Sequence, residues 1–455
     1  MKNHIVLCIS SIALFLLSVS CKQHTNQQLQ ISSNTSVSGN TSVSDSIPLI
    51  ILKSYLNRQE SIAYKDISLL LKTGKLLYTS DIKEELQSIF HIELKAPSSL
   101  SHISTKEQHF IITTIDSVDS RFLSVSVDSI NFFEQYNQYP LWIKKNGQTC
   151  NPNKQITSYI HTGVTAITRG TGAYLEKHGI DTYLSYIKPY FIKPELVHIS
   201  NEVSIDDSCS YNGMKLSFAT KSKHLEIVKT LRASIVELTG NHNLDAGIPA
   251  YYKTLQWYKA NNIAYFGGGS TVQEAAKPLI LKLKDSSQIA WIGFNERCPL
   301  GECAGIRPGA NRYSDEKARN VIDSLKNKAH VNYIIACVQF SEVDSYAPHA
   351  SQKTICKKLI DYGADVVIGS QAHIVQEIGI YKGKNIFYGT GNFLFDQTYK
   401  KGVRQAYFLK CYFYKGKIIQ FHPMYTFMNA KKQPALANDI EKSAIQDSIL
   451  LEKNF

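Results

Sequence analysis

The chain has 455 residues, whereas a single folding core usually spans about 100 to 200, so its length predicts two or three folding units. Hydrophobic residues make up 43% and charged residues 19%, which excludes a disordered, collagen-like or coiled-coil protein. Fifty Lys and Arg against 38 Asp and Glu give a formal charge of +12, which suits a polyanionic partner. The basic residues are scattered without a dense run, so we expect no nucleic-acid partner.

Residues 1–20 predict an export signal. Lys2 precedes an apolar run from Ile5 to Leu17, which has roughly the length of a signal-peptide core and is shorter than the ~20 residues of a membrane span. Residues 17–21, Leu-Ser-Val-Ser-Cys, resemble a bacterial lipobox, so Cys21 is expected to carry lipid after cleavage. The alternative is ordinary cleavage nearby, which would leave Cys21 as an unmodified thiol.

Residues 21–46 are rich in Ser, Thr, Asn and Gln and contain a short duplication, which predicts a disordered tether. An N-terminal lipid followed by a tether is typical of a lipoprotein. We therefore expect an exported protein of the bacterial cell envelope that is anchored to the membrane and faces the periplasm or the cell surface.

The rest of the chain predicts two folded parts and a tail. Residues 47–155 mix helical and strand-like segments, which indicates a smaller α+β module of unknown role. In residues 156–428, short apolar runs alternate with amphipathic segments and then give way to strand-like runs joined by Lys-Gly turns. This alternation predicts an α/β sheet with helices on its faces. Residues 429–455 are predicted to form a partly helical tail.

Two groups of cysteines have different expected roles. Cys298 and Cys303 bracket a turn-like Pro-Leu-Gly-Glu loop, which favours a local disulfide over a zinc pair because no second Cys/His pair lies near in sequence. Cys337, Cys356 and Cys411 lie inside apolar runs, where cysteine is usually a small core residue.

Four apolar strands of the predicted sheet each end in a polar cluster. Because ligands of open α/β sheets bind at the carboxyl ends of strands, these clusters are expected to converge on one site. They are Ser200-Asn201-Glu202, Thr239-Gly240-Asn241-His242-Asn243, Gln339-Phe340-Ser341-Glu342 and Gly369-Ser370-Gln371-Ala372-His373. Taken alone, each histidine is more often structural, and the convergence is what indicates a site.

Three strings make the chain similar to the CapA family of capsule and poly-γ-glutamate synthesis proteins. They are Gly240-Asn241-His242-Asn243-Leu244-Asp245-Ala246-Gly247, residues 361–373 ending in Gly369-Ser370-Gln371-Ala372-His373, and Tyr388-Gly389-Thr390-Gly391-Asn392-Phe393-Leu394-Phe395-Asp396-Gln397. The resemblance covers about residues 159–427. It implies a metallophosphoesterase-like sandwich of mixed β-sheets flanked by helices, preceded here by the smaller α+β module.

The chain departs from the family pattern at several motif positions, as a variant branch of the family does. Val164 stands where the family has a metal-ligating Asp, and only His373 remains of a histidine-rich motif. Two-metal hydrolysis needs bridging carboxylates, so the resemblance leaves two interpretations of equal weight. Either one divalent cation is bound by Glu202, Asn241, His242 and His373, or the site has no metal. Asp245 would orient His242 or cap the following helix.

The resemblance implies roles for further residues. Glu202, His242 and His373 are the catalytic candidates, and the substrate-binding candidates are Asn201, Gln339, Glu342, Gln371 and Asn392. The first hypothesis is an exported lipoprotein that acts in synthesis, transfer or trimming of an anionic capsular polymer such as poly-γ-glutamate, with a metal-dependent hydrolase site. The second is a polymer-binding or scaffold protein without catalysis on the same fold.

Overall fold

A computed structural model describes residues 46–94, 97, 103–145, 147–211, 217–298 and 301–455 of the chain. The predicted signal, the lipobox with Cys21 and almost all of the tether lie outside the described residues. Among the described helices, none combines the length and the apolar composition that a membrane crossing needs.

The first part of the described chain forms a small module of strands and short helices. Its central strand β1 pairs with β4, β5 and β7, and β3 adds to the edge of β4. A core of buried side chains covers this sheet and continues into Tyr412, Tyr414 and Ile419 of the later chain. The elements are β1 (Ser46–Lys53), β2 (Ser61–Ile62), α1 (Ile67–Lys72), β3 (Leu76–Tyr78), α2 (Lys83–Phe90), β4 (Phe110–Thr114), β5 (Leu123–Ser124), β6 (Ser126–Val127), α3 (Phe132–Gln135), β7 (Trp142–Lys144) and α4 (Pro152–Gln155).

The larger part alternates strands with helices, as its sequence pattern predicts. The strands are β8 (Ile156–Thr165), β9 (Leu196–Asn201), β10 (Ser204–Ile205), β11 (Ala219–Thr220), β12 (Ile235–Glu237), β13 (Ala264–Phe266), β14 (Gly268–Gly269), β15 (Leu279–Lys282), β16 (Gln288–Asn295), β17 (Gly309–Ala310), β18 (Tyr333–Gln339), β19 (Val366–Ser370), β20 (Ile378–Tyr381), β21 (Lys384–Phe387), β22 (Asn392–Leu394), β23 (Gln405–Tyr414), β24 (Lys417–Met428) and β25 (Pro434–Leu436). The helices are α5 (Arg169–His178), α6 (Ile180–Leu184), α7 (Ser222–Thr230), α8 (Ile248–Ala260), α9 (Val272–Ala276), α10 (Asp315–Asp323), α11 (Ala350–Tyr362) and α12 (Asp439–Ile449).

Most of these strands build two mixed sheets that pack face to face, whereas β10-β11 and β14-β17 form separate two-stranded sheets. The first has the order β13-β12-β9-β8-β23-β24-β25, with β22 also paired to β8, and the second has the order β15-β16-β18-β19-β21-β20. The inner strands of each sheet run parallel, whereas β23, β24, β15 and β20 pair antiparallel with their neighbours. Apolar side chains from both sheets, among them Tyr159, Trp291 and Ile335, fill the space between them.

Helices cover the outer face of each sheet. Leu225 of α7 and Tyr251 of α8 pack on the first sheet, and Ile322 of α10 and Leu359 of α11 pack on the second. The helix ends follow from the sequence: Ser314 accepts a hydrogen bond from Lys317 N to start α10, and Gly363 ends α11 in a left-handed conformation. The predicted fold class, a sandwich of mixed β-sheets flanked by helices and preceded by a smaller α+β module, is confirmed.

Candidate functional site

The polar strand ends meet at one edge of the sandwich, and Gln339 joins them. Its Nε2 donates hydrogen bonds to Oε1 of Glu202 at 3.3 Å and to Oδ1 of Asn241 at 2.8 Å, and it also contacts Oε1 of Gln371. These partners follow β9, β12 and β19, so one amide links the ends of four strands. Gln371 holds a left-handed backbone conformation with φ 78°, which ends β19 sharply and costs backbone energy. We call this set of side chains the edge site.

Glu202 is the acidic residue at the centre of the edge site. It is 1% exposed, and its Oε2 is buried with no hydrogen-bond partner among the described residues. Burial raises the pKa of Glu202 to about 7, although the nearby His242 acts in the opposite direction. The neighbouring Asn201 is also fully buried and donates to Val203 O at 2.7 Å. The edge site therefore holds a carboxyl group that exchanges a proton near neutral pH.

Asp245 orients the imidazole of His242. Its Oδ2 lies 2.8 Å from Nδ1 of His242 and accepts a second hydrogen bond from Phe218 N at 2.8 Å. Burial alone would lower the pKa of His242, but the hydrogen bond that its Nδ1 donates to Asp245 and the charge of Glu202 outweigh burial, so the pKa is raised. Asp245 does not cap α8, because Gly247 is the N-cap residue of that helix. Within the part of the chain that the structure describes, no hydrogen bond engages Nε2 of His242.

His373 is held by a separate pair of contacts. Its Nδ1 lies 2.8 Å from Oδ1 of Asn392, whose own amide nitrogen donates to Gln397 and Val403. This network makes Nδ1 the protonated nitrogen and leaves Nε2 facing Oε1 of Glu342 at 3.4 Å. Burial lowers the pKa of His373, and the opposing charge of Glu342 does not reverse the effect.

A clamp of four side chains lies behind both imidazoles and consists of Arg169, Phe218, Phe395 and Asp396. The guanidinium of Arg169 lies 4.7 Å from the Phe218 ring and 4.9 Å from the Phe395 ring, and it pairs with Asp396 at 2.6 Å. Phe218 in turn packs 4.0 Å from His242, and Phe395 packs 5.4 Å from His373. The clamp therefore fixes the two phenyl rings that pack against the candidate histidines.

A pocket of about 430 Å³ opens beside this clamp. It is lined by Arg169, Tyr211, Asp396, Gln397, Tyr399 and Lys432. Gln397 connects it to the edge site through Asn392. A cavity of about 490 Å³ lies instead near Gln155, Asp285 and Lys415, close to the amino ends of β16 and β18 and away from the polar strand ends.

The loop after β16 borders the edge site. Cys298 and Cys303 form a disulfide there, as the sequence favours. Glu302 lies inside this loop, and burial raises its pKa to about 7 against the opposing charge of His242. The other cysteines expected in the core, Cys337, Cys356 and Cys411, are buried.

Among the described residues, one cluster of side chains could hold a metal ion, and it is not at the edge site. Within the described residues, only His161, His198, Glu237 and Cys337 bring at least three such ligand atoms within 4.8 Å of one another. We call these four residues the interior cluster. Glu202, His242 and His373 do not meet that distance in the described chain.

The clamp has weak sequence signals, whereas the interior cluster has a readable one. Arg169 and Phe218 lie far from the family motifs and become neighbours only through the fold. The interior cluster has a readable signal, because His161 and His198 lie inside buried strands and Glu237 ends the apolar strand β12. In-register histidines on neighbouring parallel strands, such as His161 opposite His198, are the pattern that indicates a shared cluster.

The edge site lies within the part of the chain that matches a known family. Residues 158–397, more than half of the chain, match the family described as bacterial capsule synthesis protein PGA_cap. The chain belongs to this family. The CapA resemblance of the sequence is thereby confirmed, and with the family comes its metallophosphoesterase-like fold.

Two curated relatives carry names from capsule formation. The chain is 24% identical over 237 residues to the PGA biosynthesis protein CapA of Bacillus subtilis, covering 50% of this chain and 62% of that protein. It is 23% identical over 234 residues to the capsule biosynthesis protein CapA of Bacillus anthracis, covering 50% and 57%. The chain therefore spans less than two thirds of either relative.

One solved structure with partial likeness is the NAD nucleotidase of Haemophilus influenzae. The TM-score is 0.36 at 14% identity, over 64% of this chain and 55% of that one.

Proposed function

We propose that this member of the capsule-synthesis family is an exported lipoprotein that acts in synthesis, transfer or trimming of an anionic surface polymer such as poly-γ-glutamate. Two observations support a polymer of this chemistry. The matched relatives are named for capsule or PGA biosynthesis, and the net charge of +12 attracts a polyanion.

The donor set of the edge site decides whether a metal takes part there. Metallophosphoesterase-like chemistry with two ions needs bridging carboxylates, and the structure offers Val164, which is 0% exposed, at the strand end where the family has Asp. The oxygens of Glu202, Asn241 and Gln371 that could bind a cation already surround the amide nitrogen of Gln339. The residues present do not fit a metal centre at the edge site, so we assign it no metal-dependent step.

The observation that carries a catalytic role is the buried, unpartnered Oε2 of Glu202 on a carboxyl group whose pKa is about 7. A general acid or base works best when its pKa lies near the operating pH. His242, with a raised pKa and an Nε2 free to act, is its complement. For a γ-glutamyl amide, Glu202 would accept a proton from the attacking water. The imidazolium of His242 would donate one to the leaving nitrogen, as the C–O bond forms and the C–N bond breaks.

Purified full-length protein incubated with poly-γ-glutamate tests this role. We expect new amino groups to appear at a rate that EDTA does not change. Glu202→Gln and His242→Ala should each lower the rate about 100-fold or more, because each removes one proton-transfer group. The matched control is Glu226→Gln, which should keep the wild-type rate. It changes an exposed carboxylate on α7 that pairs with Lys229.

Two outcomes would contradict parts of this proposal. Loss of activity in EDTA would mean that a metal does act in the reaction. Binding of the polymer without any new amino groups would support the second candidate, a polymer-binding protein without catalysis. The engagement of three edge-site oxygens by the amide nitrogen of Gln339 favours that candidate. In either case binding should weaken as salt rises, because exposed charges are screened beyond about 8 Å at physiological ionic strength.

Membrane attachment through lipid on Cys21 is the second part of the proposal. The Cys21→Ala variant should appear in the soluble fraction after cell breakage, whereas wild type should sediment with the membranes. Cys209→Ala, which changes a thiol in the folded part of the chain, is the matched control and should sediment like wild type. If the Cys21→Ala protein is processed and still sediments with membranes, lipid on this residue is not the anchor.

A further inference from the structure

The interior cluster lies between the two sheets, below the edge site. His161, His198 and Glu237 project from the neighbouring strands β8, β9 and β12, and Cys337 projects from β18 of the opposite sheet. All four are at most 2% exposed. Their candidate ligand atoms lie within 4.8 Å of one another, so the cluster spans the gap between the sheets.

His198 is the member of this cluster that the protein alone satisfies poorly. Within the described residues, neither ring nitrogen of His198 makes a hydrogen bond, although the residue is 0% exposed. Oε2 of Glu237 lies 3.2 Å from Nε2 of His198, and among the described residues no Lys or Arg pairs with this carboxylate. Leaving buried polar groups without partners costs about 1 to 3 kcal/mol each, and buried unpaired charge costs more. A ligand with positive charge would satisfy both groups.

The donor set matches a zinc-type divalent ion. Two imidazole nitrogens, one carboxylate oxygen and one thiolate sulfur are the ligand types that Zn²⁺ binds in four-coordinate sites. Their charges also balance, because a carboxylate, a thiolate and two neutral imidazoles together neutralise one divalent cation. An ion at this position would therefore leave no net charge inside the apolar core.

Neighbouring side chains hold two of these ligands in place. Nδ1 of His161 lies 2.9 Å from the Tyr159 hydroxyl, to which Trp291 Nε1 donates at 3.0 Å. Nε2 is therefore the nitrogen of His161 that would bind an ion. The Thr239 hydroxyl donates to Oε1 of Glu237, which leaves Oε2 for the cluster. Supporting hydrogen bonds of this kind are characteristic of metal ligands.

We propose that His161, His198, Glu237 and Cys337 form a structural site for one zinc-type divalent ion that ties the two sheets together. The site supplies four protein ligands and is closed to solvent, which is the arrangement of structural rather than catalytic zinc. Cys337 precedes Gln339 by two residues on the same strand face, so the ion would lie about 7 Å below the edge site. The proposal is separate from the proposed polymer chemistry, and each can fail without the other.

Metal content and cobalt absorption of the full-length protein test the proposal. Because the site is buried, the protein is unfolded in denaturant with EDTA and refolded with Zn²⁺, with Co²⁺ or with EDTA alone. We expect one equivalent of tightly held zinc by elemental analysis and a higher melting temperature than after refolding in EDTA. The cobalt form should show thiolate-to-cobalt charge-transfer absorption, because Cys337 supplies sulfur.

Substitutions distinguish metal bound at the interior cluster from metal bound elsewhere in the protein. Cys337→Ala should lose the charge-transfer absorption and most of the bound metal. Cys411→Ala is a matched control, because Cys411 is equally buried in the same core but belongs to no such cluster, and it should keep both. His242→Ala should also keep the metal, since it changes only the edge site.

The wild-type measurement keeps the proposal open to refutation even if a variant fails to fold. The proposal would be overturned if the wild-type protein refolds equally well in EDTA, holds no metal and shows no charge-transfer absorption. In that case Glu237 is a neutral carboxylic acid beside His198. Equal metal content in Cys337→Ala and Cys411→Ala would also overturn it.

Discussion

Replacing Asp396 by alanine is expected to lower the free energy of unfolding by about 3 to 5 kcal/mol, as is typical when one partner of a buried ion pair is removed. The side chains of Arg169 and Asp396 are 9% and 8% exposed, and Nε of Arg169 already has no hydrogen-bond partner. Asp396 also accepts a hydrogen bond from Gly170 N at 2.9 Å. The substitution would leave a guanidinium charge buried between two aromatic rings.

Chemical denaturation of wild type and Asp396→Ala measures this loss. Asp361→Ala is the matched control, because it removes the carboxylate of an exposed pair with Lys382 and should cost less than about 1 kcal/mol. Equal losses of stability in the two variants would mean that the guanidinium of Arg169 becomes hydrated in Asp396→Ala. The clamp also holds Phe218 and Phe395 against the candidate histidines, so Asp396→Ala should lower polymer-directed activity even where the protein remains folded.

The convergence of the polar strand ends was predictable because it depends only on strand direction. Parallel strands place their carboxyl ends at one edge of a sheet, so Glu202, His242, Gln339 and His373 could be assigned to that edge from the sequence. What each side chain contacts there was not predictable. The central position of the Gln339 amide follows from the relative placement of two packed sheets, which no single strand pattern encodes.

The role of Asp245 shows how local spacing leaves alternatives that only tertiary contacts decide. Asp245 follows His242 by three positions, which suits both an orienting contact and a helix cap. The backbone of Phe218, from a distant segment, supplies the second hydrogen bond that fixes Asp245 beside the imidazole. Arg169 and Asp396, 227 residues apart, are likewise paired only by the fold.

Cys337 illustrates a correct prediction that was incomplete. An apolar run predicts a buried cysteine, and Cys337 is buried. The same run does not reveal that the facing sheet presents His161, His198 and Glu237 to the sulfur. Inward-facing polar residues on several apolar strands are the signal that a sequence can provide, because each would otherwise be buried without a partner.

The pH dependence of stability is expected to change when Glu202 is replaced by glutamine. The pKa of Glu202 rises from 4.5 to about 7 on folding, so the folded state binds its proton more tightly than the unfolded state. Its contribution to stability is fully present below pH 4.5 and is lost as pH rises towards 7. A shift of this size corresponds to about 3 kcal/mol, since each pKa unit is worth about 1.4 kcal/mol.

Unfolding free energies of wild type and Glu202→Gln, measured by denaturant titration between pH 5 and pH 8, test this expectation. The glutamine side chain is neutral at every pH, so the variant should lose less stability than wild type as pH rises and should be relatively more stable at pH 8. Glu302, whose pKa is also raised to about 7, is still present in the variant, so part of the pH dependence of the unfolding free energy is retained. Glu226→Gln should follow the wild-type curve, because its exposed carboxylate lies on the surface of α7. Parallel curves for Glu202→Gln and wild type would mean that Glu202 ionises at its ordinary pKa, and the acid–base role proposed for it would then lose its physical basis.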